Sequence, residues 1–270
     1  MSVAAPELAR RIRADALRMV SKANASHIGT CLSMADLLAV LYSGVLRVDP
    51  ANPQIPERDR FILSKGHGAA IVYAVLAERG FFPREWLHNY CMDGSPLTGH
   101  ISHKVAGVEV STGSLGHGLP MGCGMALAGK RDGATWRTFV LLSDGELDEG
   151  SNWEAILFAG HHRLDNLVAI VDYNKIQSFG TVKEVLDLEP LAAKWSAFNW
   201  VVQEIDGHDL RAIENAFGKV PFEPGRPSVI IAHTTKGKGV DYMENELAWH
   251  YRAPMGELLV KALAQVGEAP

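Results

Sequence analysis

The sequence of 270 residues has little cysteine, no long apolar run and no excess of positive charge. Its three cysteines, Cys31, Cys91 and Cys123, form no C-x-x-C pair, which favours free thiols in a reducing compartment over a disulfide framework. The first 19 residues carry four arginines instead of the apolar core of a signal peptide, and no stretch reaches the length of a membrane span. With a net charge of −5, the chain lacks the basic face of a nucleic-acid-binding protein. We therefore expect a soluble, cytoplasmic protein that binds neither membranes nor nucleic acid.

Strand-like and helix-like segments alternate along the whole sequence. The apolar patterns predict strands over residues 60–64, 138–143, 167–173, 200–205 and 228–233. They predict helices over residues 6–22, 33–46, 69–80, 119–130, 190–198, 210–217 and 254–266, and one that begins near residue 151. The stretch S-H-I-G-T at residues 26–30 is predicted to be a loop. This alternation predicts an α/β fold, with one domain over residues 1–270 and a doubly wound, mostly parallel sheet covered by helices on both faces.

The central strand–loop–helix–strand unit places two polar side chains at strand ends. Asp144 follows the strand at 138–143, and Asn174, thirty residues later, follows the next strand. Because parallel strands end at the same edge, both side chains are expected at the edge where open α/β sheets bind ligands. Their oxygens suit a magnesium ion that keeps water or phosphate as other ligands, and Gly145 lets a phosphate approach the backbone. The unit therefore predicts a metal and diphosphate site, although either residue alone is also common in turns and caps.

The residues of this unit also resemble a known motif. D-G-E-L-D-E-G-S-N-W-E-A followed by D-Y-N-K-I-Q is similar to the thiamine diphosphate motif of the transketolase family, which starts with Gly-Asp-Gly. Ser143 stands in place of the first glycine, and Tyr173 stands where the family often has Asp or Asn. The resemblance runs from about Leu8 to Pro254. It implies the diphosphate-binding (PP-type) domain of the thiamine diphosphate-binding fold.

The resemblance also implies which residues hold the cofactor. Magnesium, or calcium or manganese in its place, would be bound by the side chains of Asp144 and Asn174 and by the backbone carbonyl of Ile176. Thiamine diphosphate would contact Gly145, through its N–H, and Glu146. The remaining cofactor-binding residues that the resemblance implies are in the glycine-rich loop or next to glycines: His67, Gly113, Ser114 and Leu115. In that loop the Gly113 carbonyl would accept from the aminopyrimidine ring, Leu115 would pack against the cofactor, and Ser114 replaces a common proline.

Four histidines match positions along the family's cofactor and substrate channel. His27 lies in S-H-I-G, His67 in K-G-H-G, His100 in T-G-H and His250 in A-W-H-Y. A lone histidine is more often structural, but an imidazole can donate, accept and change charge near neutral pH. The resemblance implies that His67 contacts the diphosphate, while His27 and His100 contact the donor sugar and assist proton transfer. His250 resembles the family's late active-site histidine, and Tyr251 replaces the glycine that often follows it.

Two glutamates near the start of the central helix receive a different expectation. The resemblance places Glu149 and Glu154 close to a subunit interface, in a carboxylate network that links two active sites. Carboxylates buried close together would share protons and titrate as a group. Ser151-x-x-Glu154 also fits a capping box, so the two interpretations remain open at this point.

The resemblance covers only the first part of a full-length transketolase. It implies the N-terminal subunit of a two-component enzyme, whose partner is a C-terminal subunit with the pyrimidine-binding domain and its glutamate, in an α2β2 heterotetramer. Together they would move a two-carbon ketol unit from a ketose, with or without a phosphate, to an aldose acceptor. The alternatives are the α subunit of a 2-oxo acid dehydrogenase, which would not be expected to carry the early histidines, and a non-catalytic cofactor-binding partner. A histidine-rich metallohydrolase is disfavoured because H-x-H and H-E-x-x-H pairs are lacking.

Overall fold

The computed structural model describes residues 3–268. At its centre lies a sheet of five parallel strands in the order β1-β2-β3-β5-β4. The strands are β1 (Arg60–Leu63), β2 (Thr138–Ser143), β3 (Leu167–Tyr173), β4 (Val201–Asp206) and β5 (Ser228–His233). Every residue of β2 and β3 is buried, as expected for the continuous apolar strands of a parallel sheet covered on both faces.

Helices cover both faces of the sheet. They are α1 (Ala5–Ala23), α2 (Ile28–Ser33), α3 (Ala35–Val40), α4 (Ala69–Glu78), α5 (Gly118–Arg131), α6 (Gly150–His161), α7 (Val182–Val185), α8 (Leu191–Ala197), α9 (Leu210–Phe217) and α10 (Glu257–Gln265). Leu141 and Ile170 pack with α1–α4, α9 and α10, whereas Leu142 and Val171 pack with α5, α6 and α8. Because alternate strand residues face opposite sides, one sheet supports two apolar layers, and the predicted doubly wound α/β fold is confirmed.

The prediction of a loop over residues 26–30 is wrong. Helix α2 begins at Ile28, and His27 precedes it with a left-handed backbone at φ 74°. Gly29 lies within this helix because it allows close packing: a Cβ there would lie 3.1 Å from Cγ of Lys236. The segment 28–33 is buried throughout, so tertiary packing overrides the weak helix propensity of glycine.

Other helix boundaries differ less. The predicted helix over 33–46 is divided at Met34, and α3 continues into a π-helical turn over Leu41–Val45. The last helix begins at Glu257 rather than at residue 254. No helix between residues 3 and 268 is both long and apolar enough to cross a membrane.

Candidate functional site

A cavity of about 240 Å³ opens at the carboxyl edge of the sheet. Its walls come from the start of α2, from the loops after β1, β2, β3 and β5, and from the segment that precedes α5. Most of the predicted site residues line it: His27, His67, His100, Gly113, Leu115, Asp144, Gly145, Asn174, Ile176 and His250. Residues far apart in the sequence therefore meet where the strand order predicts a ligand site.

Asp144, Asn174 and Ile176, together called the oxygen site, offer only oxygen ligands. The Asp144 carboxylate is 1% exposed and accepts from the backbone N–H groups of Gly145, at 2.7 Å, and Lys175. Burial, with the Asp172 carboxylate nearby, raises the pKa of Asp144 to about 7. A buried carboxylate of this kind is stabilised by a cation, and hard oxygen ligands suit magnesium, so these residues fit the predicted ion.

The other groups around the oxygen site limit what it can bind. Among the described residues, no three His, Cys, Asp or Glu side chains are arranged to hold a metal ion. An ion here would therefore depend on one carboxylate, one amide and one carbonyl, with the ligand completing its coordination. The Gly145 N–H, predicted to face a diphosphate, donates to Asp144 in this structure.

A buried ion pair beneath the cavity was missed by the sequence reasoning. The Lys65 ammonium pairs with the Asp172 carboxylate, and both side chains are 0% exposed. Lys65 also donates to Thr30 at 2.8 Å, and Asp172 accepts from the hydroxyls of Ser33 and Thr234. Burial opposes ionisation of Asp172, but the Lys65 ammonium holds the pKa of its carboxyl below the ordinary value. The available signals were a lysine directly before G-H-G and an aspartate two residues before Asn174.

His27, His67, His100 and His250, called the histidine cluster, form one wall of the cavity. The ring centre of His27 lies 5.0 Å from those of His67 and His250 and 6.1 Å from that of His100. Burial, together with neighbouring His and Lys side chains, lowers the pKa of His27 to about 4 and of His250 to about 3, and holds that of His67 well below its usual value. These three rings are therefore neutral near pH 7, and each has one nitrogen that donates and one that accepts.

Lys236 is the second functional candidate that the sequence reasoning missed. It is 2% exposed and lines the cavity, with its Nζ 2.9 Å from the Ile176 carbonyl oxygen and 3.0 Å from Nδ1 of His250. Burial lowers the pKa of its ammonium to about 8, although the Asp144 carboxylate opposes this shift. The sequence signal is T-T-K-G-K-G, which directly follows the apolar strand β5.

Glu146 and Ser114 are predicted site residues that do not line the cavity. Glu146 is 0% exposed below it and accepts from the Ser64 hydroxyl at 2.6 Å and the Gly116 N–H at 3.0 Å. Burial raises the pKa of this carboxyl. Glu146 therefore ties the glycine-rich loop to the end of β1, while Ser114 in that loop is exposed.

Glu149 and Glu154 are exposed at the start of α6 in this single chain. The capping box is not formed, because the Ser151 hydroxyl donates to the Gly116 carbonyl at 2.7 Å. The residue preceding α6 is Glu149, whose side chain makes no capping hydrogen bond. The interface role of the two glutamates thus stays a prediction.

Comparison with known sequences gives the family. The family model described as "Transketolase, thiamine diphosphate binding domain" matches residues 4–267. One of the two subunits named for an apulose-4-phosphate transketolase of Phocaeicola vulgatus is 44% identical over 252 residues, which cover 93% of this chain and 90% of that protein. A 6-deoxy-6-sulfo-D-fructose transketolase subunit of a Clostridium species is 43% identical over 256 residues, covering 94% and 93%.

Solved structures show the same relation. Transketolase from Leishmania mexicana superimposes with a TM-score of 0.93 at 31% identity, over 100% of this chain and 42% of that one. Transketolase from Pichia stipitis in complex with sedoheptulose-7-phosphate gives a TM-score of 0.94 at 30% identity, over 99% and 41%. The chain thus spans about two-fifths of these longer transketolases. It belongs to the transketolase family, as a subunit that carries the family's thiamine diphosphate binding domain.

Proposed function

We propose that this chain is the cofactor-anchoring subunit of a two-component transketolase, which moves a two-carbon ketol unit from a ketose to an aldose. The observation that carries the proposal is the meeting of the oxygen site and the histidine cluster in one cavity. The relatives of nearly the same length are named as single subunits of transketolases, which supports a separate partner chain. The partner would supply the pyrimidine-binding domain and its glutamate in an α2β2 assembly.

The oxygen site would anchor the cofactor. Asp144 and Asn174 would bind magnesium through their side chains and Ile176 through its carbonyl, with calcium or manganese able to take its place. The Gly145 N–H and His67 would contact the diphosphate. When bound, thiamine diphosphate supplies carbanion stabilisation, while the protein supplies position and electrostatics. The Lys65–Asp172 pair beneath would keep the ends of β1 and β3 in place.

The histidine cluster would act on the sugar. Neutral rings at His27 and His250 can each donate to a hydroxyl or carbonyl oxygen and accept from another hydroxyl. Such groups can hold the donor sugar and move its hydroxyl protons. The cluster also favours this function over the α subunit of a 2-oxo acid dehydrogenase, which would not be expected to carry these histidines. Four imidazoles on one cavity likewise argue against a non-catalytic partner.

Glu149 and Glu154 are proposed to meet a second chain. Both are exposed at the start of α6, which begins next to the loop that Glu146 holds under the cavity. Burial of these carboxylates in an assembly would create the shared-proton network that the family resemblance implies.

The deciding experiment is reconstitution. The chain should be produced with the partner subunit of comparable size that co-purifies with it, and native mass, bound thiamine diphosphate and ketol transfer should be measured together. A set of ketose donors with and without a phosphate would define the substrate. An equimolar complex that binds cofactor and transfers a ketol unit is expected. Assembly of this chain with itself only, without ketol transfer, would replace the proposal with the non-catalytic alternative.

A further inference from the structure

Lys236 lies buried between the oxygen site and His250. Its Nζ is 3.0 Å from Nδ1 of His250 and 2.9 Å from the Ile176 carbonyl oxygen. An ammonium group has three donors and no acceptor, so Nδ1 of His250 must be the accepting partner. We propose that Lys236 is a positioning residue that fixes His250 as the Nε2–H tautomer and leaves Nε2–H as its one donor to a ligand.

The charges of the two groups agree with this arrangement. Burial and the nearby Lys236 lower the pKa of His250 to about 3, so its ring is neutral near pH 7 and has a nitrogen free to accept. A neutral histidine takes the tautomer that its hydrogen-bond partners select. The opposite tautomer would set a ring N–H against the Lys236 ammonium, donor against donor.

Contacts with the start of α2 hold Lys236 and His250 in place. The Gly237 N–H donates to the Gly29 carbonyl at 2.9 Å, and the His27 N–H donates to the His250 carbonyl at 2.9 Å. A Cβ at Gly29 would lie 3.1 Å from Cγ of Lys236, so the lysine stem packs tightly against the helix. A side chain locked by packing keeps its hydrogen-bond geometry without further ordering.

A second anchor holds the other side of the same loop. The Thr235 N–H donates to Nε2 of His208 at 2.8 Å, and Nδ1 of His208 lies 2.8 Å from the Asp36 carboxylate. Arg13 in turn binds Asp36 through two hydrogen bonds of 2.9 and 2.6 Å. Lys236 therefore extends from a loop that is fixed at the residues on both sides of it.

Lys238, two residues on, supplies a matched control. Its side chain is 38% exposed and lies 3.5 Å from Glu244, away from the cavity. It shares the loop and the charge of Lys236 but not its contact with His250. Lys238→Met should therefore leave both the histidine and catalysis unchanged.

The first test reads the tautomer directly. In the chain labelled with ¹⁵N-histidine, His250 is assigned by the signals lost in His250→Gln, and its two ring nitrogens are observed near pH 7. We expect an unprotonated, accepting Nδ1 and a protonated Nε2, and a mixture of tautomers in Lys236→Met. A protonated Nδ1 in the native chain would overturn the proposal, as would unchanged His250 signals in Lys236→Met. If Lys236→Met does not fold, the tautomer of the native chain decides alone.

The second test asks whether Lys236 acts through His250. It rests on the proposed function, and it uses the enzyme assembled with its partner. Lys236→Met should lower kcat about 10- to 100-fold, as loss of a supporting partner typically does. In the His250→Ala background the same change should cost less than about twofold, since the coupled residue is already gone. Additive losses would overturn the positioning role. The expected tautomer in a complex without ketol transfer would instead contradict the proposed function alone.

Discussion

The oxygen site and the histidine cluster share one cavity but are built in opposite ways. The oxygen site lies at the ends of adjacent strands β2 and β3, and a fully buried ion pair supports it. The histidine cluster comes from segments far apart in sequence, and its members with shifted pKa values are neutral. The contrast separates two tasks: charge anchors a charged cofactor, and neutral rings that both donate and accept handle the hydroxyls of a sugar.

The sharpest way to break this contrast is to remove the anchor. In Asp144→Ala, the diphosphate loses its metal bridge, and magnesium-dependent binding of thiamine diphosphate should fall more than about a hundredfold, since even supporting residues cost about 10–100-fold. Calorimetry of the assembled enzyme measures this, with the exposed Asp132→Ala as the control. Unchanged cofactor affinity would show that the metal lies elsewhere.

The second prediction concerns the ion pair that supports the oxygen site. Asp172→Asn leaves the Lys65 ammonium buried without its carboxylate, which should lower the free energy of unfolding by about 3–5 kcal/mol. The matched change Asp165→Asn removes the partner of Lys130, in a pair whose side chains are 39% and 29% exposed. It should cost about 0–1 kcal/mol. Urea unfolding of both variants checks this, and equal losses would mean that the buried pair has no special structural role.

The third prediction concerns the histidine cluster. His250→Ala should lower kcat for ketol transfer about a hundredfold, the lower range for a group that moves protons. Cofactor affinity should stay within about twofold because His250 is not part of the oxygen site. Steady-state rates and cofactor titration of the same preparation separate the two effects. A collapse of cofactor binding would move His250 to the diphosphate site.

The smallest effect is expected at Tyr251. Its hydroxyl donates to the Ser178 carbonyl at 2.7 Å, and the ring lies 4.9 Å from that of His250 at the cavity mouth. Tyr251→Phe removes one exposed hydrogen bond, worth about 1 kcal/mol, and should change KM for the donor ketose by no more than about fivefold. Tyr251→Gly, which restores the residue common in the family, should shift the relative kcat/KM among donors. An unaltered donor ranking in both variants would show that the ring has no part in selection.

Local patterns were sufficient for the sheet and for the oxygen site. Strands β2, β3 and β5 and helix α9 begin and end at the predicted residues, because continuous apolar runs and an amphipathic period are local properties. The placement of Asp144 and Asn174 followed from parallel strand order alone.

The missed features depend on contacts that no local pattern contains. Lys236 and Lys238 lie two residues apart in T-T-K-G-K-G, yet only Lys236 lines the cavity, because Gly29 on α2 leaves room for its stem. The same long-range packing made Gly29 helical where a turn was predicted. The burial of Lys65 likewise depends on Asp172, which lies more than a hundred residues away.

The bond from the His27 N–H to the His250 carbonyl also has a consequence for folding order. It joins residues near opposite ends of the described chain, and closing so long a loop carries a large entropic cost before any contact repays it. The sheet and the oxygen site can form from residues up to β5, whereas the histidine cluster closes only after residue 250 has been added. During synthesis, a cofactor anchor therefore exists before there is a complete place for the sugar.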